Sequence, residues 1–276
     1  MFSERLSFGG ASLHLYGETP WQLSPLCAPF RTDAETPAHE IHVRLADDMP
    51  TTPDTAASSF RTYRWRTGAQ RHTLQDYGVG FTYAVTEGGF TELTVSSRYA
   101  ENLRTQLLLE GVDLFDILAE RGMLVLHSAY IVARTGEAIL FSGPSGVGKS
   151  TQAALWECCA GARVVNGDRA LVDVTKKTAN GIFYSGTSGI SENVTAPVRA
   201  IVLLGQSSEN RVFGPSPQAA FAGVLSQCAY YEWDARSAEQ MTECVARLVS
   251  DVPVLRMDCL PDATAVEALR GKLGGI

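Results

Sequence analysis

Residues 138–156 read AILFSGPSGVGKSTQAALW, and this stretch decides how the second half of the chain folds. Four apolar residues, 138–141, predict a buried strand, and residues 151–156 favour a helix. Between them, residues 143–150 match the pattern G-x-x-x-x-G-K-[ST] at every position. A strand, a glycine-rich loop and a helix in this order predict a loop that holds phosphate groups.

This predicted phosphate loop, residues 143–150, suits a nucleoside triphosphate. Glycines let backbone N–H groups and the positive end of the following helix approach an anion closely. We expect Lys149 to reach the β- and γ-phosphates and the Ser150 hydroxyl to ligate Mg²⁺. The predicted nucleotide-binding residues are Gly143, Pro144, Ser145, Gly146, Val147, Gly148, Lys149, Ser150 and Thr151. The loop alone leaves open whether the γ-phosphoryl group goes to water, a metabolite or a protein.

The composition of the chain excludes several classes of partner. With 276 residues, 45% hydrophobic and 19% charged, the chain has an ordinary globular composition. Its formal net charge of -7 argues against nucleic acid or an anionic membrane as a partner, because excess Lys and Arg hold both. The sequence has no stretch of about 20 apolar residues and no cationic, then apolar, N-terminal segment. We expect a soluble cytoplasmic protein.

The six cysteines also fit a reducing compartment. They form no C-x-x-C pair and no metal-ligand spacing with the five histidines. The adjacent pair Cys158 and Cys159 follows the predicted phosphate-loop helix, where we expect a packing role rather than a redox role.

The chain divides into a predicted β-rich module, residues 1–110, and a phosphate-loop domain, residues 111–276. Short alternating strands are predicted in the first part at 12–16, 41–45, 60–66, 80–85 and 91–95. In the second part, strands are predicted at 123–133, 163–166, 170–174, 182–184, 198–204 and 254–257, and helices at 216–228, 235–250 and 262–273. Strand 123–133 and the strand before the loop are close enough in sequence to form a hairpin. The predicted fold class is therefore α/β (α+β) with mixed sheets.

Two residues are candidates for catalysis beside Lys149. Asp168 follows a short apolar strand 19 positions after Lys149, so one helix returns it to the loop, where it is predicted to ligate Mg²⁺ or to accept a proton. An Asn-Gly-Asp turn is the alternative explanation of Asp168. His127 lies on the hairpin strand before the loop, where it could contact the γ-phosphate or could be a buried core histidine.

Together these residues resemble a known family. His127 on a strand, the loop at 143–150 and Asp168 in the sequence VVNGDR look like the catalytic domain of HPr kinase/phosphorylase and its relatives with a phosphoenolpyruvate carboxykinase-like fold. The resemblance covers about residues 122–257. It implies ATP-dependent, Mg²⁺-dependent transfer of phosphate to a serine-type hydroxyl on a protein, a peptide or a small molecule. The family commonly forms oligomers, so a homo-oligomer is a further possible partner state.

The sequence also departs from that family. The bifunctional enzymes generally have two adjacent acids where this chain has Gly167 and Asp168, which leaves one carboxylate role, base or metal ligand, unassigned. The segment linked to phosphorolysis has no clear counterpart, only the glycine- and serine-rich residues 186–192. That segment is either a second loop that presents hydroxyls and Glu192 to the acceptor or an exposed turn. Arg169 is expected to point away from Asp168, since neighbouring residues of a strand alternate.

Two hypotheses on function therefore stand side by side. In the first, the chain is an ATP-dependent kinase whose β-rich module selects the acceptor. In the second, it is a regulatory module that binds a nucleotide and turns it over little or not at all, which the missing second acid favours. Four arginines of the β-rich module, Arg61, Arg64, Arg66 and Arg71, form either a surface for an acidic peptide or a solvated strand face.

Overall fold

The computed structural model describes residues 1–33 and 37–274. The chain is mixed α/β and consists mostly of sheet. It divides into two compact units, Met1–Ile117 with Tyr231–Ala238, and Leu118–Tyr230 with Glu239–Ile276. The junction between the two parts was predicted near residue 110, and the segment Tyr231–Ala238 was not predicted to belong to the first unit. In the described part of the chain, no helix is both long enough and apolar enough to cross a membrane.

The first unit is built on an eight-stranded sheet with the order β1-β2-β3-β8-β7-β6-β5-β4. The strands are β1 (Phe2–Phe8), β2 (Ala11–Gly17), β3 (His39–Ala46), β4 (Ala57–Ser59), β5 (Thr62–Thr67), β6 (Gln70–Asp76), β7 (Phe81–Glu87) and β8 (Phe90–Ser96). Two helices follow, α1 (Thr105–Gly111) and α2 (Leu114–Ala119), and the division between the units falls within α2. All five predicted strands are confirmed, whereas β1, β4 and β6 were not predicted.

The basic surface proposed for this module is wrong for two of its four arginines. The strand predicted at 60–66 begins later, because Phe60 and Arg61 have positive φ angles of 45° and 61° and form a turn. Arg64 and Arg71 then lie on the buried side of the sheet. Arg64 contacts Asp113 at 2.9 Å and Asp116 at 2.5 Å, and Arg71 also pairs with Asp113. Buried, paired guanidinium groups cannot form a surface for an acidic peptide.

The second unit contains a mixed sheet of eight strands and the remaining helices. Its strands are β9 (Met123–Val132), β10 (Ala138–Ser142), β11 (Arg163–Asn166), β12 (Arg169–Asp173), β13 (Thr178–Asn180), β14 (Thr195–Gln206), β15 (Arg211–Phe213) and β16 (Val254–Cys259). The helices are α3 (Lys149–Ala160), α4 (Pro217–Leu225), α5 (Ala235–Asp251) and α6 (Ala263–Lys272). The first residues of α5 belong to the other unit.

Strand pairing in this sheet brings β10 and the loop after it to the centre. β9 and β10 form the predicted antiparallel hairpin, and β10 runs parallel to β14, which runs parallel to β16. Side chains alternate between two cores because successive residues of a strand face opposite sides. Leu140 and Ile201 belong to the core with α5, while Phe141 and Val202 belong to the core with α3 and α6. Both faces of β10 are thus covered, which holds the following loop firmly.

Two local predictions for this unit are wrong. Residues 182–184 are not a strand; the short strand β13 precedes them, and their carbonyl groups serve as hydrogen-bond acceptors described below. Cys158 and Cys159 do not pack in a core. Both are exposed at the end of α3, with their Sγ atoms 3.2 Å apart.

Candidate functional site

The phosphate loop leaves β10 at Ser142 and enters α3 at Lys149. Gly143, Gly146 and Gly148 have φ angles of 145°, 79° and 113°. A Cβ at Gly146 or Gly148 would meet nothing within 4 Å, so backbone conformation, and not space, requires glycine there. The loop therefore curves into the N-terminus of α3, whose first N–H groups have no partner within the helix and favour an anion.

Lys149 lies folded across this loop. Its Nζ donates hydrogen bonds to the carbonyl oxygens of Gly143, at 2.9 Å, and Pro144, at 3.1 Å. Burial lowers the pKa of Lys149, the Asp168 carboxylate opposes that change, and Arg169 adds to it. An ammonium group has three donors and no acceptor, so Lys149 can hold the loop and still donate to a phosphate.

Asn166, which sequence reasoning did not single out, shapes the turn that carries Asp168. Its side chain is fully buried, and its Oδ1 accepts hydrogen bonds from the backbone N–H groups of Asp168 and Arg169, both at 2.9 Å. Its Nδ2 donates to the carbonyl groups of Ile182, at 2.9 Å, and Tyr184, at 2.7 Å. One amide thus joins the turn at 166–169 to the chain at 182–184. Asn side chains commonly stabilise turns in this way.

Asp168 meets His127 at the end of this turn. The Nε2 atom of His127 lies 3.4 Å from Asp168 Oδ1, which places both candidate residues in one site. Burial lowers the pKa of His127, the charges of Arg169 and Lys149 lower it further, and Asp168 and a hydrogen bond accepted by the Gln227 side chain raise it. The pKa of His127 is lowered overall, so the imidazole is neutral at pH 7 and one ring nitrogen is available as an acceptor.

The position of Arg169 corrects a prediction. Asp168 lies in the turn and β12 begins only at Arg169, so strand alternation does not separate their side chains. Arg169 Nη1 lies 3.5 Å from Asp168 Oδ2. On the neighbouring strand, Arg169 stands directly opposite His127. Residues opposite each other in an antiparallel pair share a face of the sheet, so the guanidinium and the imidazole line the same site.

A short segment, residues 185–189, covers Asp168 and explains why glycine occupies position 167. A Cβ at Gly186 would lie 2.7 Å from Asp168 Cγ, so the backbone of this segment packs on the carboxylate. A Cβ at Gly167 would overlap the side chain of Ser188, whose Oγ donates to Ser185 O at 2.8 Å. Ser188 thus fills the space that a second acid at position 167 would need.

Glu192, at the end of the glycine- and serine-rich segment 186–192, lies in an ion pair with Arg163 at 2.7 Å.

In the part of the chain that the structure describes, no group of three or more His, Cys, Asp and Glu side chains could hold a metal ion. The donors that fit Mg²⁺ are the exposed Ser150 hydroxyl and the Asp168 carboxylate, both hard oxygen ligands. Mg²⁺ in nucleotide sites commonly takes one or two protein ligands and completes its shell with phosphate and water, so this sparse set suits it.

A cavity of about 370 Å³ adjoins the loop on the side of Thr151. It is bounded by the loop, by α3 and by the chain that follows β14 and β16, with the lining residues Gly146, Val147, Gly148, Thr151, Gln152, Gln206, Ser207, Cys259, Leu260 and Pro261. Gln206 Nε2 donates to Gly146 O at 3.1 Å, and Gln152 Nε2 donates to Leu260 O at 3.2 Å. The cavity has the size and the mixed polarity that suit the nucleoside part of a nucleotide.

A second, smaller cavity of about 180 Å³ lies at His127 and Arg169. Its other wall is the segment 226–229 that follows α4. The backbone N–H of His127 donates to Gln227 O at 2.8 Å, and that of Ala229 donates to Val125 O at 2.9 Å. The wall is therefore hydrogen-bonded to the same strand, β9, that carries His127.

A scan against protein-family models gave no match, and a search of the curated proteins gave none either.

Proposed function

We propose that this chain is an ATP-dependent kinase that transfers the γ-phosphoryl group to a serine-type hydroxyl on a protein, a peptide or a small molecule. One observation carries the proposal. Lys149 of the phosphate loop, the Asp168 carboxylate and the His127 imidazole interact within one site, although they lie at least 19 positions apart along the chain. A loop that only bound a nucleotide would not need a carboxylate and a neutral imidazole beside the lysine.

The chemistry follows from the charges of these groups. The loop N–H groups and Lys149 bind and neutralise the phosphates, while the acceptor oxygen attacks the γ-phosphorus and the bond to the β–γ bridging oxygen breaks. Asp168 accepts the proton of the attacking hydroxyl, and His127 contacts the carboxylate and orients it. The Ser150 hydroxyl and the Asp168 carboxylate would hold Mg²⁺, which when bound would supply further neutralisation of the phosphate charge.

The proposal includes a fold relationship. The β9–β10 hairpin before the loop and the turn with Asp168 after one helix support a likeness to the HPr kinase and phosphoenolpyruvate carboxykinase-like proteins. Ordinary doubly wound nucleotide-binding folds instead separate neighbouring parallel strands by a crossover helix. The single carboxylate at Asp168 argues for transfer without phosphorolysis.

A nucleotide-gated regulatory module is the second candidate. The observation that favours it is Ser188, which fills the space next to Gly167 where a second acid would stand. In this function the loop binds ATP and the segment 185–189 responds to the γ-phosphate. It predicts binding without turnover.

Transfer from γ-labelled ATP with Mg²⁺ separates the two candidates. The acceptors are serine-containing peptides, free serine and a cell extract, and the variants are Lys149→Ala and Asp168→Asn. Asp251→Asn is the matched control, since Asp251 is a carboxylate ion-paired with Lys177 at 3.1 Å.

If the chain is a kinase, Asp168→Asn should lower the transfer rate about a hundredfold or more, because the general base is lost. Lys149→Ala should remove most of the transfer rate, because contacts to the phosphates are lost. Asp251→Asn is expected to keep its rate, and all three variants to keep the wild-type circular dichroism spectrum. Transfer that survives both site substitutions would overturn the assignment. Tight binding of ATP with neither transfer nor hydrolysis would favour the regulatory module.

A further inference from the structure

We infer that the acceptor carries a carboxylate close to the hydroxyl that is phosphorylated, and that Arg169 binds this carboxylate. The inference rests on the proposed kinase function and specifies its substrate class. It follows from the charges around Asp168, the contacts of Arg169 and the cavity beside them.

The site holds more positive than negative charge. Two cations lie in the site: Arg169 stands opposite His127 across the β9–β12 pair and lines the same cavity, and Lys149 crosses the phosphate loop. One carboxylate, Asp168, faces both of them. Lys149 has its counter-ion in the nucleotide phosphates, in keeping with its place on the loop. Among the described residues, the counter-ion of Arg169 is Asp168, which also interacts with Lys149.

The contacts of Arg169 to Asp168 are long. Nη1 lies 3.5 Å from Oδ2 and 3.4 Å from the backbone carbonyl of Asp168. Charge-assisted hydrogen bonds of guanidinium groups are usually about 2.7–2.9 Å, and a guanidinium has five N–H donors in a planar fork. The side chain is also 31% exposed. It therefore keeps donors for a planar, bidentate partner, and a carboxylate is such a partner.

The cavity beside Arg169 sets the size of that partner. Its volume of about 180 Å³ suits a small hydroxy acid, or one hydroxyl and one acidic side chain of a peptide. Ser226 and Gln227 line it with polar groups, and Gln227 Nε2 donates to Ser226 Oγ at 3.2 Å. An acceptor here would place its carboxylate on Arg169 and its hydroxyl beside Asp168, the adjacent residue. Only the hydroxyl oxygen enters the bond-making step.

The test compares acceptors that differ only in charge. L-Serine keeps the carboxylate, and L-serinamide replaces it with a neutral amide. N-Acetyl-L-serine keeps the carboxylate but lacks the free amino group. A peptide with Ser followed by Glu and its counterpart with Gln make the same comparison for a side-chain carboxylate. Transfer from γ-labelled ATP is measured for each with the wild type, Arg169→Gln and Arg169→Lys. Arg163→Gln is the control, because Arg163 is an exposed arginine paired with Glu192.

The expected result is a kcat/KM at least about tenfold higher for one carboxylate-bearing acceptor than for its amide, since a hydrogen bond to a charged group contributes on the order of 1.5–3 kcal/mol. Arg169→Gln should remove this preference mainly by raising KM for the acid. Arg169→Lys should restore it only in part, because an ammonium group lacks the fork. Arg163→Gln should leave the preference unchanged. Preference among the free acids points to a metabolite, and preference among the peptides points to a side chain.

Two results would overturn the inference, and they are distinguishable. Equal transfer to the acids and their amides, or a preference that survives in Arg169→Gln, would refute the role of Arg169 and leave the kinase assignment standing. Lack of transfer to every acceptor, including the cell extract, would refute the kinase assignment and the inference with it.

Discussion

Gly167→Ala tests the contact between position 167 and Ser188, which lies in the segment 185–189 that packs on Asp168. A Cβ at position 167 would lie 2.6 Å from the Cβ of Ser188 and would also overlap its Oγ. Rotation of the hydroxyl relieves the Oγ contact only. Non-bonded carbon atoms are most stable at about 3.5–4.0 Å, so the backbone of the segment must move by roughly 1 Å.

This movement lowers the free energy of unfolding. Overpacking of a well-filled site costs about 1–3 kcal/mol. For a unit of about 150 residues, this predicts a fall in Tm of roughly 2–12 °C. The displaced segment also carries Gly186 away from Asp168, on which it packs. We therefore expect a slower transfer rate as well as a lower stability.

A double-mutant cycle with Ser188→Gly isolates the contact. Thermal and urea unfolding are measured for the wild type, Gly167→Ala, Ser188→Gly and the double variant. Removal of the Ser188 side chain vacates the space, so the added methyl group should cost less than about 0.5 kcal/mol in the double variant. Gly214→Ala is the control, since a Cβ there meets nothing within 4 Å.

Two outcomes would refute this reasoning. In the first, Gly167→Ala unfolds at the wild-type temperature. In the second, the double variant shows the plain sum of the two single losses, which would mean that the two positions do not touch.

The remaining predictions concern charge, thiols and pH. Arg64→Met should lower the free energy of unfolding by about 3–5 kcal/mol because it leaves the buried Asp113 and Asp116 carboxylates with Arg71 as their remaining cationic partner. Arg64→Met with Asp113→Asn should lose less, and an unchanged urea midpoint would contradict the ion-pair network. Cys158 and Cys159 are exposed, so an aromatic disulfide reagent should modify them well before the other four thiols, and replacing both with Ser should abolish the fast phase. The pKa of His127 is lower in the folded chain, so the unfolded chain binds the proton first as the pH falls below about 6.5. Between pH 7.5 and pH 5 the wild type should thus lose more stability than His127→Gln, and equal losses would contradict the lowered pKa.

Local sequence was sufficient for the phosphate loop and for most of the elements around it. The glycine spacing, the apolar strand before it and the helix after it are short-range features, since they depend on backbone conformation and on alternation over a few residues. For the same reason the β9–β10 hairpin and the helices α4, α5 and α6 were predicted near their observed positions. Strand alternation also separates Arg64 from its neighbours Tyr63 and Trp65, but it does not say which face of the sheet is buried.

The surroundings of Asp168 depended on tertiary structure. Asn166 supports the turn, His127 reaches it from β9, and Ser188 occupies the space beside Gly167 from a segment about 20 residues further on. No periodicity in the sequence connects these positions, because their contacts arise from strand pairing and from two backbone carbonyl groups of an irregular segment. The sequence by itself determined the glycine-rich loop between β10 and α3. Only the tertiary structure decided which side chains face it, since long-range packing brings them together.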